Sequence, residues 1–312
     1  MSKFAALLTQ ADAAQYMQRN SLVQSSQSTI SPPPFPIALL YTSCYCEQNV
    51  YHSISHITSQ LSDINQTAVK TAKINSTTKT TSSLQPIQFI PIWDLYSVFI
   101  SNPEKAVLLH QQKASNLPNL GYPVIWDYHV VALATCHLVP LDLLCLTSTN
   151  SIAAPFCFKN NQDLSWSQSW VYDIDSNLSS TSSESLKVIR LEEYNYHTFR
   201  SELKSMIPKD FRPQFRLVPA NHFLNWFASD RSHMRNQDGV WKSPPPNWDL
   251  ILGSKAREIG VRNNLIHNYV DMNVTEIGTS HMIGSYGKLL DAQSWFEQKF
   301  GIFLVGLGET IG

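Results

Sequence analysis

The chain has little charge, few cysteines and no long apolar run. Of its 312 residues only 15% are Asp, Glu, Lys or Arg, and the formal net charge is −1. No strong basic patch breaks this balance, so the electrostatic footprint of a nucleic-acid binder is missing. No stretch approaches the roughly 20 apolar residues of a membrane helix, so neither nucleic acid nor membrane is expected as a partner. The 5 cysteines are Cys44, Cys46, Cys136, Cys145 and Cys157. Their odd number and the absence of a signal-peptide pattern argue against a disulfide framework and for a reducing compartment, cytoplasmic or also nuclear. Cys44 and Cys46 lie too close for a structural zinc pair, and no second ligand pair follows. No metal and no organic cofactor are expected.

What is present is a globular composition, 43% hydrophobic, with a surplus of uncharged polar residues. It suits one sizeable core. Residues 1–35 read as a disordered extension: Phe4 to Met17 has the pattern of a short amphipathic helix, and Ser21 to Pro34 is a Ser, Gln and Pro linker. A single domain is expected over 36–312, interrupted by polar loop inserts at about 64–86 and 176–186. Val98 to Ser101 and Ala106 to Gln111 predict a hairpin across Asn102-Pro-Glu-Lys105. Arg216 to Pro219 predicts a strand, followed by a helix over 221–228. Asp291 predicts the N-cap of a helix reaching Phe300, with Gly301 behind it. Residues 251–288 carry no clear period.

Three segments carry chemistry. The run Tyr122 to Leu133 is rich in β-branched and aromatic residues and predicts a strand. By the period of two, Ile125, Asp127, His129 and Val131 share one face. A strand holds an imidazole rigidly, as a catalytic base requires, although a hydrogen-bonded core histidine fits the same pattern. Val50, Ile54, Ile57 and Leu61 form one apolar helical stripe, which puts Cys46 at a helix N-terminus. Unpaired backbone N–H groups and the helix dipole there favour a thiolate, the nucleophilic form. Cys44 is the rival nucleophile, and a small buried hydrophobe is the plainer role for either. Trp170 to Asp175 alternates like a half-buried strand and offers Asp173 and Asp175 as partners for an imidazole. The residues alone do not choose between the two acids.

The order of cysteine on a helix, histidine on a strand and aspartate on a following strand suits an α+β, papain-like or transglutaminase-like core. Trp126-Asp-Tyr-His-Val130 resembles the signature of the WDYHV-motif family, the protein N-terminal glutamine amidohydrolases. Four further blocks match in order: Ser43 to Glu47 with Asn49; Val98 to Asn102 with Gln111-Gln112; Val171 to Asp175; and Phe227 to Met234 with Trp241 and Pro244 to Pro246. The resemblance spans about 38–250, with an echo at Trp295 to Gly301. It departs from the family after Asp175, where a serine-rich run replaces an apolar, proline-containing one.

The resemblance implies Cys46 as nucleophile, His129 as acid and base, and Asp173 as the orienting acid. The implied reaction converts an N-terminal glutamine to glutamate and ammonia through a thioester, feeding the N-degron pathway. The implied partners are proteins or peptides with a free N-terminal glutamine, and a monomer is expected. A carboxylate should receive the substrate α-ammonium: Asp127 first, then Glu47 and Asp230. Tyr45, Trp126 and Tyr128 could shape the pocket. The rival readings are a cysteine peptidase or transglutaminase-like enzyme, and a non-catalytic module that binds N-terminal glutamine.

Overall fold

The computed structural model describes residues 30–35, 40–77, 89–117, 122–140, 166–178, 188–200, 206–273 and 286–297. The first element is a long helix, α1 (Cys46–Thr77). It opens where the Tyr45 carbonyl accepts from the N–H groups of Gln48 and Asn49. The predicted stripe of Val50, Ile54, Ile57 and Leu61 is buried. Burying each of the larger aliphatic side chains contributes roughly 2 kcal/mol.

The helix continues where a polar loop insert was expected. Its apolar stripe ends at Leu61, but Asn65 is buried and clamps β1 (Phe89–Ser101), exchanging two 2.9 Å hydrogen bonds with the backbone of Trp93. That long-range tie holds the extra turns onto the sheet. The remainder of that insert, 78–88, lies outside the described residues.

β2 (Val107–Leu109), β3 (Val124–Trp126), β4 (His129–Pro140), β5 (Trp166–Tyr172) and β6 (Val188–Arg190) follow, then α2 (Leu191–Phe199) and β7 (Gln214–Pro219). α3 (Ala220–Trp226), β8 (Ala228–Ser229), β9 (Ile251–Leu252) and α4 (Ser254–Glu258) lead to a π-helical turn at Leu265–Val270, then to β10 (Lys288–Leu290) and α5 (Ala292–Phe296). One antiparallel sheet of 6 strands has the order β10-β7-β1-β4-β5-β6. The class is therefore α+β.

Both faces of the sheet are covered. Trp93, Leu95 and Phe99 of β1, with Val130, Ala132 and Ala134 of β4, pack in one cluster with the α1 stripe. The alternate residues Tyr96, Val98 and Ile100, with Val131 and Leu133, pack with α2 and α5 through Tyr194, Phe199 and Trp295. This is the period of two at work.

The structure corrects four further expectations. The turn at Asn102 exists, held by Asn102 Nδ2 on the Ala106 carbonyl, but its flanks do not pair; β1 pairs with β4 and β7, and β2 with β3. The strand through Trp126 and His129 is broken at Asp127 and Tyr128, so Asp127 and His129 do not share a continuous strand face. The strand before Asp173 ends at Tyr172, and the chain turns so that Asp173 Oδ1 accepts from the Asp175 N–H. Finally, the end of the expected N-terminal extension is packed: Phe35 is buried against Tyr172, whose hydroxyl donates to the Pro33 carbonyl. Asp291 caps α5 as expected, through Ser294 N at 2.7 Å, and α5 is described as far as Phe296. Residues 1–29, 179–187 and 298–312, which include the predicted N-terminal helix, most of the serine-rich run and Gly301, lie outside the described residues.

Candidate active site

The site forms where β4 begins, β5 has just ended and α1 opens. Residues 41–45 lead into α1, tied down by Asn49, whose side chain bonds both the N–H and the carbonyl of Thr42 at 2.9 Å. Cys44 has φ 68°, the left-handed region that a residue with a Cβ rarely adopts. This strained turn delivers Cys46 as the first residue of the helix, with its Sγ 3.9 Å from Glu47 Oε2.

His129 opens β4 and is 1% exposed. Its Nε2 lies 3.1 Å from Asp173 Oδ1, leaving Nδ1 as the ring nitrogen not engaged by the carboxylate. The Trp126 ring stacks on the imidazole with centroids 5.8 Å apart. The Asp173 carboxylate is saturated with donors: Tyr194 Oη at 2.8 Å and Gln112 Nε2 at 3.3 Å on Oδ2, and the Asp175 N–H at 3.0 Å on Oδ1. Burial opposes ionising Asp173, but His129 and the bonds from Tyr194 and Gln112 hold it below the ordinary carboxylate range. Burial likewise opposes charging His129, and the charge and hydrogen bond of Asp173 outweigh it, so its pKa is raised.

The expectation of a low-pKa thiol is reversed in this state. Burial pushes the Cys46 thiol well above its ordinary value, and the charges of Glu47, Asp175 and Asp127 push it further. Desolvation of a thiolate outweighs the helix dipole, worth about 1 kcal/mol at most when exposed. A neutral thiol that shares a cleft with a basic imidazole needs its proton removed during attack.

Cys46 and His129 open onto a cleft of about 550 Å³, whose wall includes Trp126, Asp127, Tyr128, Asp175 and His233. The candidates for substrate contact separate here. Asp127 and Trp126 line the cleft. Tyr45 is fully buried, its hydroxyl on the Ser243 carbonyl, and Glu47 is fully buried behind the wall. Asp230 does not line the cleft; it accepts from Ser232 N–H and Asn263 Nδ2, closing a turn. Gln112, Tyr194 and His233 were missed as site residues. The paired glutamines and the Asp-Arg-Ser-His block marked two of them in sequence, without a role; nothing local marked Tyr194.

The block that carries His233 is anchored to α1, the helix that Cys46 opens. Arg231 is buried, with φ 63°, and donates to Gln48 Oε1 of α1 and to the carbonyls of Trp248 and Asp249. Among the described residues no cluster of three metal-binding side chains occurs, and no helix is long and apolar enough to cross a membrane.

In this α+β fold a helix-borne thiol and a strand-borne, acid-linked imidazole line one cleft. Comparison with known proteins narrows this. The profile of the N-terminal glutamine amidase family matches residues 41–299, and the chain belongs to that family of amidohydrolases. A Danio rerio protein N-terminal glutamine amidohydrolase is 30% identical over 212 residues, covering 68% of this chain and 72% of the fish protein. The Bos taurus and Homo sapiens proteins of the same name are each 28% identical, over 77% and 75% of this chain and 81% of their own lengths.

Proposed function

We propose that this enzyme hydrolyses the side-chain carboxamide of an N-terminal glutamine through a thioester on Cys46. The observation that carries the reading is one cleft shared by the thiol at the start of α1 and the Asp173-linked imidazole at the start of β4. The Cys46 sulfur attacks the carboxamide carbon while His129 takes the thiol proton. The C–N bond then breaks, and the imidazolium gives its proton to the departing ammonia. Water attacks the thioester, losing a proton to His129, and the sulfur leaves as a thiol by taking that proton back. Asp173 stabilises the imidazolium and fixes the ring. The backbone N–H of Cys46, at the open end of the helix, is the first donor for the oxyanion.

This arrangement is papain-like in the order and roles of its three residues. The exposed carboxylate of Asp127 in the cleft suits a cationic N-terminus. One sheet that draws strands from Phe89 to Leu290 supports a single catalytic domain. We place the enzyme in the cytoplasm as a monomer, its product entering a degradation route that reads N-terminal residues.

Acid-quenched turnover of a Gln-initiated peptide tests the mechanism. The reading expects the peptide, less ammonia, on Cys46. An adduct on Cys44 with Cys46 free overturns it.

A further inference from the structure

Behind the cleft wall sits a second set of titratable groups that the chemistry above does not use. Glu47 is fully buried one residue after the nucleophile. The Tyr128 hydroxyl donates to its Oε2 at 3.1 Å, and the same hydroxyl lies 3.2 Å from His233 Nε2. His233 Nε2 is also 3.8 Å from Glu47 Oε1, which has no hydrogen-bond partner. The His233 side chain is 10% exposed, lines the cleft and keeps a buried Nδ1 without a partner.

Proton counting fixes what this chain presents. A tyrosine has one proton to give. If it goes to the Glu47 carboxylate, the hydroxyl oxygen must accept from His233 Nε2–H, and the neutral ring then carries its lone pair on Nδ1. If Glu47 is protonated, it can donate to Tyr128, Tyr128 to Nε2, and Nδ1 becomes a donor. The first arrangement suits a cation and the second repels one. Asp127, also on the cleft wall, adds a carboxylate near the same ring.

We propose that His233 is a specificity-determining residue which, with the Asp127 carboxylate, receives the α-ammonium of the substrate, and that Glu47 and Tyr128 are positioning residues that set its tautomer. The proposal rests on the N-terminal glutamine reading and deepens it. An acylated N-terminus offers no cation to this seat, and an internal glutamine brings none.

The charges around the two switching groups are definite. Glu47 faces Tyr128 and the Cys46 thiol, whose Sγ lies 3.9 Å from Oε2, with Asp127, Tyr45 and Arg231 within its field. His233 faces Asp127, Asp230 and Lys242 besides Tyr128 and Glu47. Burial raises the Glu47 carboxyl to about 7, while burial lowers His233 to about 4, so the ring is neutral when Glu47 switches. Acidifying through about 7 therefore protonates Glu47 and turns Nδ1 into a donor, and KM rises.

The test measures kcat and KM for a Gln-initiated peptide between about pH 6 and 9, a range bracketing the substrate amine and the carboxyl. His233→Phe should raise KM about tenfold, the weight of one charge-assisted hydrogen bond, with a smaller change in kcat. Tyr128→Phe should remove the acid-side rise in KM. Should His233→Phe fail to fold, the pH profile of Tyr128→Phe decides alone. Wild-type KM in a folded His233→Phe protein, or a Tyr128→Phe profile with the wild-type inflection, overturns the proposal. Failure of the wild type to convert the peptide overturns the underlying reading instead.

Discussion

The Tyr194 hydroxyl on α2 donates to Asp173 Oδ2 at 2.8 Å, on the same carboxylate whose Oδ1 holds His129. The bond joins a helix on one face of the sheet to the strand end that orients the imidazole. Tyr194→Phe leaves the ring packed and removes the donor. It should lower kcat/KM about tenfold and cost on the order of 1–3 kcal/mol of stability. Kinetics and a thermal melt check this; wild-type values for both contradict it.

Asp173→Asn should reduce kcat about 10³-fold or more, because the amide stabilises the wrong form of the ring. The pair also has a pH signature. The Asp173 pKa is lowered, so its contribution is present above its ordinary value and is lost as pH falls through the depressed one. The His129 pKa is raised, so its contribution is present below about 6.5 and is lost as pH rises through the raised value. Both contributions coexist between roughly pH 4 and 6.5. Melting temperature against pH should lose that component in Asp173→Asn.

Alkylation separates the two cysteines of the loop. Cys44 is exposed, and Cys46 is partly covered with its thiol pKa raised by burial and by Glu47. Iodoacetamide labelling of Cys46 in the free enzyme should climb through the alkaline range, above the usual thiol value of about 8.5. Glu47→Gln should move that climb to lower pH. Fast labelling of Cys46 down to neutral pH contradicts the account.

Glu47 also shapes stability. Its carboxyl is raised to about 7 from an ordinary 4.5. The neutral form is favoured, so the contribution is full below 4.5 and is lost as pH rises through about 7. A neutral isostere avoids that loss. Glu47→Gln should therefore gain up to about 3 kcal/mol on the wild type between pH 5 and 8. Denaturant melts at both values measure it; a constant difference contradicts it.

Local chemistry carried much of this site in the sequence. The stripe from Val50 to Leu61 located α1 and put Cys46 at its start, and the β-branched run located His129 on a strand. The partners that tune the site were hidden because each arrives from far along the chain. Asn65 ties α1 to β1 through its bonds to Trp93, 28 residues on. Tyr194 reaches Asp173 from the opposite face of the sheet. Asp127 breaks the strand that the alternation predicted, a tertiary outcome that no period records. The thiol pKa was misjudged because a helix terminus is visible in sequence and desolvation is not.

The most direct test incubates the protein with two peptides, one starting with a free glutamine and one carrying the same glutamine N-acetylated. Mass spectrometry reads the products with wild type and with Cys46→Ala. The account predicts conversion to glutamate only in the free peptide and only with wild type, while Cys46→Ala keeps its fold. Conversion by folded Cys46→Ala, or cleavage of the backbone in place of deamidation, would contradict it.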